Sequence, residues 1–119
     1  MGDFRRLEVW KKAHALTLGI YRETSGWPKH EQFGLISQAR RAAYSIPSNI
    51  AEGCGRDTDP EFVRFSRYAL GSASELSYFL LLARDLSYFV PSRPDNLNGS
   101  VAEVRRMLAS IMRTTDVRR

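Results

Sequence analysis

Two histidines, a single cysteine and a set of arginines interspersed with serine, asparagine and glutamate are the chemically capable residues of this 119-residue chain. Most of them fall in residues 37–56, SQARRAAYSIPSNIAEGCGR. Ser45 and Ser48 are hydroxyls without a base nearby in sequence. The only histidines are His14 and His30, and neither serine sits in a Gly-x-Ser-x-Gly elbow. Cys54 with a distant histidine would make a nucleophile and base, but a lone cysteine at a helix end reads as inert. Ligand spacing for a metal is missing. Glu52 and Glu75 could face each other between two helices, yet no Glu-x-x-His pair accompanies them, as a di-iron bundle requires. The glycines of GCGR lack both a preceding strand and the spacing of a phosphate-binding loop. The sequence therefore reads as non-enzymatic, with no cofactor and no metal.

What remains is positive charge. Arg40, Arg41 and Arg56, extended by Lys11 and Lys12 of an earlier segment, are the candidate nucleic-acid contacts, because guanidinium forks match phosphate bidentately. Solvated charges, or salt bridges to Glu52 or Glu75, are the competing accounts. The net charge of +5 is uneven: residues 1–56 hold nine Lys/Arg against five Asp/Glu, residues 57–95 four against six, and residues 96–119 five against two. An acidic middle between basic ends implies one face with positive potential.

These residues must be positioned by helices, since the apolar periodicity is helical throughout. The first helix is expected over about 3–24, opened by Asp3, with the seam Val9, Ala13, Leu16, Ile20; SGWPK then breaks it. The second, about 30–54, has the seam Ile36, Ala39, Ala43, Ile46, Ile50, Gly53, spaced alternately three and four as in a left-handed bundle. Its small residues predict close packing, and Gly55 a stop. Pro47 in its interior leaves the carbonyl of Ala43 in need of another donor. Gln38, Asn49 and Glu52 share a side of this helix, as a polar contact with a neighbour or as a hydrated face.

The third helix, about 59–89, starts at Asp59 with Pro60 in the first turn, or one residue earlier as a Thr58–Glu61 capping box. Its seam is Phe62, Phe65, Ala69, Ser72, Leu76, Phe79, Ala83, Leu86. Residues 91–96 read as a loop. The fourth helix, about 95–114, carries Leu97, Val101, Val104, Leu108 and Ile111, with Ser100 and Glu103 as a rival start and a fraying tail TTDVRR. The expected fold is all-α: a single-domain, antiparallel up-down-up-down four-helix bundle.

One feature exceeds a lone bundle. Between Leu76 and Leu86 the third helix is apolar nearly all round, with Tyr78, Leu80, Leu81 and Leu82 off the main seam. Gly71, Ser72, Ala73 and Ser74 before it are small. This second surface reads as a subunit interface in preference to a wide core stripe. The longest apolar run, YFLLLA at 78–83, is too short to span a bilayer, and one cysteine fits a reducing compartment, so the expected location is the cytoplasm without a membrane partner.

Several strings carry a likeness: L-x-V-W-K-K-A-H at 7–14, WP at 27–28, FGLISQARRAAYSIPSNIAEG at 33–53, EF at 61–62 and ALGSASEL at 69–76. They resemble the four-helix-bundle family associated with intervening sequences in bacterial large-subunit ribosomal RNA genes. A more distant likeness is to the accessory variability determinant of diversity-generating retroelements. The resemblance implies a homopentamer around a central opening. By the distant likeness it also implies binding of RNA or DNA, and of a reverse transcriptase, through basic surfaces that here would include Arg40, Arg41 and Arg56. Asn49 and Glu52 correspond to structural or interface positions, joining Tyr78, Leu81 and Leu82 as the expected oligomer contacts. The function expected is a non-enzymatic, homo-oligomeric bundle that binds nucleic acid, the rival being a protein-interaction scaffold.

Overall fold

The computed structural model describes residues 2–89 and 96–117, the side chains of the last two excepted. Four helices make the fold: α1 (Glu8–Thr24), α2 (Leu35–Cys54), α3 (Asp59–Asp85) and α4 (Leu97–Val117). Each packs against the next in sequence and α4 returns to α1, while the diagonal pairs α1/α3 and α2/α4 bring no described Cα atoms within 8 Å of each other. The result is an all-α rod of 47 × 24 × 21 Å. Its length is set by α3, whose 27 residues extend about 40 Å at 1.5 Å per residue.

The expected seams form the core. Val9, Ala13, Leu16 and Ile20 of α1 are buried, as are Ile36, Ala39, Ala43, Ile46, Ile50 and Gly53 of α2 and Leu97, Val101, Val104 and Leu108 of α4. On α3 the buried stripe departs from the seam read from sequence: Val63, Ser66 and Ala73 are buried, while Ser72 and Phe79 of the expected seam are only half-buried. Leu80 is fully buried, whereas Leu86 is exposed. Gly53 lets α2 and α3 approach closely: a Cβ there would lie 3.1 Å from the Phe65 Cβ and 3.3 Å from the Phe62 carbonyl oxygen.

Helix ends differ from expectation, each for a local reason. Asp3 does accept a hydrogen bond from Arg5 N, but it caps only a 3-10 turn, Phe4–Arg6; Leu7 is extended and α1 begins at Glu8. The arginine also donates to Asp3 through its side chain, which holds the aspartate pKa below its ordinary value and the arginine above. The second helix starts at Leu35, not near residue 30, because a 3-10 turn (Lys29–Glu31) and Gly34 intervene. Glu31 Oε1 accepts from Leu35 N at 3.0 Å.

Thr58, the capping-box alternative, is the N-cap of α3, its hydroxyl accepting from Glu61 N; Asp59 is already inside the helix. The far end stops at Asp85, not 89. Ser87 adopts φ +62°, its N–H donating to Arg84 O while Tyr88 N–H donates to Ala83 O at 2.9 Å, a Schellman closure with serine in the left-handed position. Asn96 Oδ1 accepts from Gly99 N, which makes Asn96 the polar start of α4 in place of Ser100. The tail does not fray at 114: the helix continues to Val117. The expected loop at 91–96 lies outside the described residues save for Asn96.

Pro47 is buried inside an unbroken α2. The carbonyl of Ala43 that it deprives of a donor finds one in Thr17 of α1, whose hydroxyl oxygen lies 3.1 Å from it and 2.8 Å from Ala13 O. A turn at one end is fastened similarly. Trp27 is buried, donates from Nε1 to Glu23 Oε2 at 3.1 Å, and meets the rings of Tyr88 and Phe89. Tyr88 OH donates to Glu31 Oε2 at 2.8 Å. Glu31 thus caps α2 with one oxygen and ties down the end of α3 with the other. The backbone N–H of Leu35, then the tyrosine hydroxyl, lower its pKa, and the carboxylate raises that of Tyr88.

Candidate nucleic-acid and subunit interfaces

The five cations singled out from sequence do not form one patch. Arg40 is half-buried and turned into the chain: its Nε donates to Thr24 Oγ1 at 2.8 Å, an Nη to Ser25 Oγ at 3.4 Å, and its guanidinium lies 4.6 Å from the centroid of the Tyr21 ring. It sits where α1 ends, completing carbonyl-rich chemistry that favours a cation. Arg56 pairs with Glu52 at 3.4 Å and covers the Phe65 ring. Lys11 pairs with Glu8 at 3.1 Å and Lys12 with Glu103 at 3.6 Å. Arg41 alone of the five is exposed with no hydrogen bond or ion pair among the described residues. It shares a hollow of about 200 Å³ with Gln38, Ala42, Ser45 and Glu75.

The expected oligomer contacts also separate into two groups. Helices α2 and α3 run side by side so that Gln38 and Arg41 share a hollow with Glu75, while Gly53 meets Phe62 and Phe65. Asn49 and Glu52 therefore lie near the start of α3, remote from Tyr78, Leu81 and Leu82 near its end. Asn49 bonds back to Ser45 O at 2.8 Å. Leu82 is half-buried against the core. Tyr78 and Leu81 remain outside, 56% and 42% exposed.

These two belong to an outward row, Arg67, Gly71, Ser74, Tyr78, Leu81, Asp85, spaced alternately four and three. That is helical seam spacing on the side of α3 opposite its buried stripe. A Cβ placed on Gly71 would meet nothing within 4 Å, so its lack of a side chain has no cause inside the protomer. Leu18, Tyr44 and Phe33 are further exposed apolar residues on the α1/α2 half, Phe33 at 91%.

Sequence reasoning marked Tyr78 and Leu81 on the α3/α4 side but missed the cations beside them. There Ser74, Ser77, Tyr78, Leu81, Arg84, Asn98 and Arg105 line a groove of about 450 Å³. Arg105 also borders a second, of about 420 Å³, with Leu70, Ala102, Arg106 and Ala109. The signal available was the charge of residues 96–119 combined with the Arg105–Arg106 doublet on the edge of a helix.

For catalysis the geometry offers little. Cys54 is buried, and burial pushes its thiol pKa up, away from the reactive thiolate. Trp10 stacks on the ring of His14 at 5.0 Å, and His30 lies 3.5 Å from the Tyr88 hydroxyl, and among the described residues neither is hydrogen-bonded to a serine or to the cysteine. Among the described residues no three His, Cys, Asp or Glu side chains converge as a metal site would need, and no helix is long and apolar enough to cross a membrane.

A family model described as 23S rRNA-intervening sequence protein matches residues 5–110. Among solved structures, the chain is similar to a protein of unknown function from the S23 ribosomal protein family of Bacteroides thetaiotaomicron VPI-5482. The two are 24% identical over 88% of this chain and 95% of that one, with a TM-score of 0.79, a likeness of fold. No curated protein matches.

Proposed function

The chain belongs to the 23S rRNA-intervening sequence protein family, and from that premise we propose that it is a non-catalytic cytoplasmic bundle that assembles with copies of itself and holds nucleic acid by its phosphates. The outward row of α3 carries this reading. An exposed glycine inside a helix costs about 1 kcal/mol relative to alanine, and Gly71 has open space where a side chain would go. Tyr78 and Leu81 expose apolar surface along the same row. A second helix laid on this row would approach closely at Gly71 and Ser74 and bury Tyr78 and Leu81. The assembly expected is a homopentamer. Five copies at +5 would pool about +25 of formal charge, so weak phosphate contacts would add through multivalency. The family description names ribosomal RNA, which favours RNA as the polyanion.

A second reading, a protein-interaction scaffold, is favoured by the engagement of Lys11, Lys12, Arg40 and Arg56 within the chain. Light scattering at micromolar concentration, together with binding of a generic oligoribonucleotide over a salt series, tests the proposal. A multimer whose affinity falls steeply with salt is expected. A monomer removes the assembly, and no binding at low salt leaves the scaffold.

A further inference from the structure

We propose that the phosphate-contacting surface is the edge of α4 that faces α3: Arg105, Arg106 and Arg113, as a track for the sugar–phosphate backbone of an RNA or DNA strand. This rests on the nucleic-acid reading above but moves the site away from the cations of α2 and α1.

Three observations carry it. First, all three arginines are exposed, and none makes a hydrogen bond or ion pair among the described residues. Their forks are free for phosphate, unlike those of Arg40 and Arg56. Second, the hollow that Arg105 and Arg106 border with Leu70, Ala102 and Ala109 is lined by no carboxylate among the described residues. Other cation-lined hollows have a carboxylate at hand: Glu75 beside Arg41, Glu103 in the α1/α4 hollow that holds Lys12 and Arg22, and Asp85, paired at 3.2 Å with the Arg84 that lines the groove by Tyr78. A polyanion entering the hollow beside Arg105 and Arg106 therefore displaces no counter-charge among the described residues. Third, the floor by Arg106 is apolar, made of Leu70, Ala102 and Ala109. A poorly polarisable floor strengthens attraction between a guanidinium and an anion above it, and the two alanines leave room for one.

Spacing extends the track. Arg113 lies about one turn of α4 beyond Ala109, which lines the same hollow as Arg105 and Arg106. Arg105 to Arg113 covers about 12 Å along α4. The track begins where the outward row of α3 passes Tyr78, so assembly through that row would bring the tracks of neighbouring copies close to each other.

The test is fluorescence anisotropy with a labelled single-stranded oligoribonucleotide, and a deoxyribonucleotide of the same sequence, from about 50 to about 200 mM salt. The proteins are wild type, the double variant Arg105→Ala/Arg106→Ala, and Lys11→Ala/Lys12→Ala for comparison. The expected result is a loss of roughly tenfold in affinity for the α4 variant, and a log–log salt slope shallower by about 1.4, at about 0.7 per phosphate contact on a single strand. The lysine variant should keep the wild-type slope, both strands should respond alike, and thermal melting should be unchanged. If wild type binds and the α4 variant keeps its slope, the track is wrong while the nucleic-acid reading stands. If wild type binds neither strand at low salt, both fall. An effect confined to one kind of strand, or competition by oligoglutamate as strong as by RNA, would also overturn a backbone track.

Discussion

Arg40 on α2 and Arg105 on α4 are both arginines on the flank of a long helix, yet their surroundings are opposite. Arg40 is anchored to Thr24 and Ser25 and laid on Tyr21, and nearby the Thr17 hydroxyl reaches the carbonyl that Pro47 leaves without a donor. On the α3/α4 side Arg105 borders a hollow with no carboxylate among its described lining residues, Gly71 faces open space, and Tyr78 stands outside. Polar groups along the α1–α2 contact close the fold. Those along the outer α3–α4 edge are left available to something else. Substitutions in the first region should lower stability, and substitutions in the second should alter association or binding at nearly constant stability.

The largest loss should come from Gly53→Ala. Its Cβ would lie 3.1 Å from the Phe65 Cβ and 3.3 Å from a backbone oxygen, so α2 and α3 must give by a few tenths of an ångström. This packing cost, offset by about 1 kcal/mol of helix propensity, should leave a net loss of about 2 kcal/mol in urea denaturation. Thr17→Val comes next. It leaves Ala43 O without a partner in the interior, at about 1.5 kcal/mol. In a Pro47→Ala background residue 47 regains an N–H for that carbonyl, so the same substitution should cost clearly less. A double-mutant cycle with no coupling would show that the threonine serves only its own helix.

Glu31 gives a smaller, pH-dependent effect. Its pKa in the folded chain lies below that of the unfolded chain, through the Leu35 N–H and then the Tyr88 hydroxyl. Its contribution is therefore complete above the unfolded glutamate pKa and disappears as the pH falls through the lower folded value. Glu31→Gln should accordingly melt lower than wild type at neutral pH, and the difference should close on acidification. A gap that persists at low pH would mean that the carboxylate charge is not what matters.

The seams were legible in the sequence because a bundle core needs only apolar residues at three- and four-residue steps, and Val9 to Ile20 or Ile36 to Gly53 supply them. The need of Ala43 for a donor was legible too, from Pro47 alone. The identity of that donor was not, because Thr17 lies 26 residues earlier and only the packing of α1 on α2 brings it near. Helix ends were harder. Glu31 and Ser87 act through contacts with Leu35, Tyr88 and Ala83 that no spacing rule anticipates. Among the candidate contacts, residue type marked every arginine equally. Whether a neighbouring carboxylate or hydroxyl engages it depends on which helix flank it occupies, and that separates Arg40 from Arg105.

The central claim is that the outward row of α3 is surface for another copy and is not needed to hold one copy together. Sedimentation velocity of Tyr78→Glu beside wild type, with a urea titration of the variant to follow its fold, tests it most directly. The expected result is a folded protomer, stable to within about 0.5 kcal/mol of wild type as far as the isolated fold is concerned, sedimenting as a monomer where wild type is a multimer. A variant that sediments with wild type as the same multimer, or a wild type already monomeric, would contradict it.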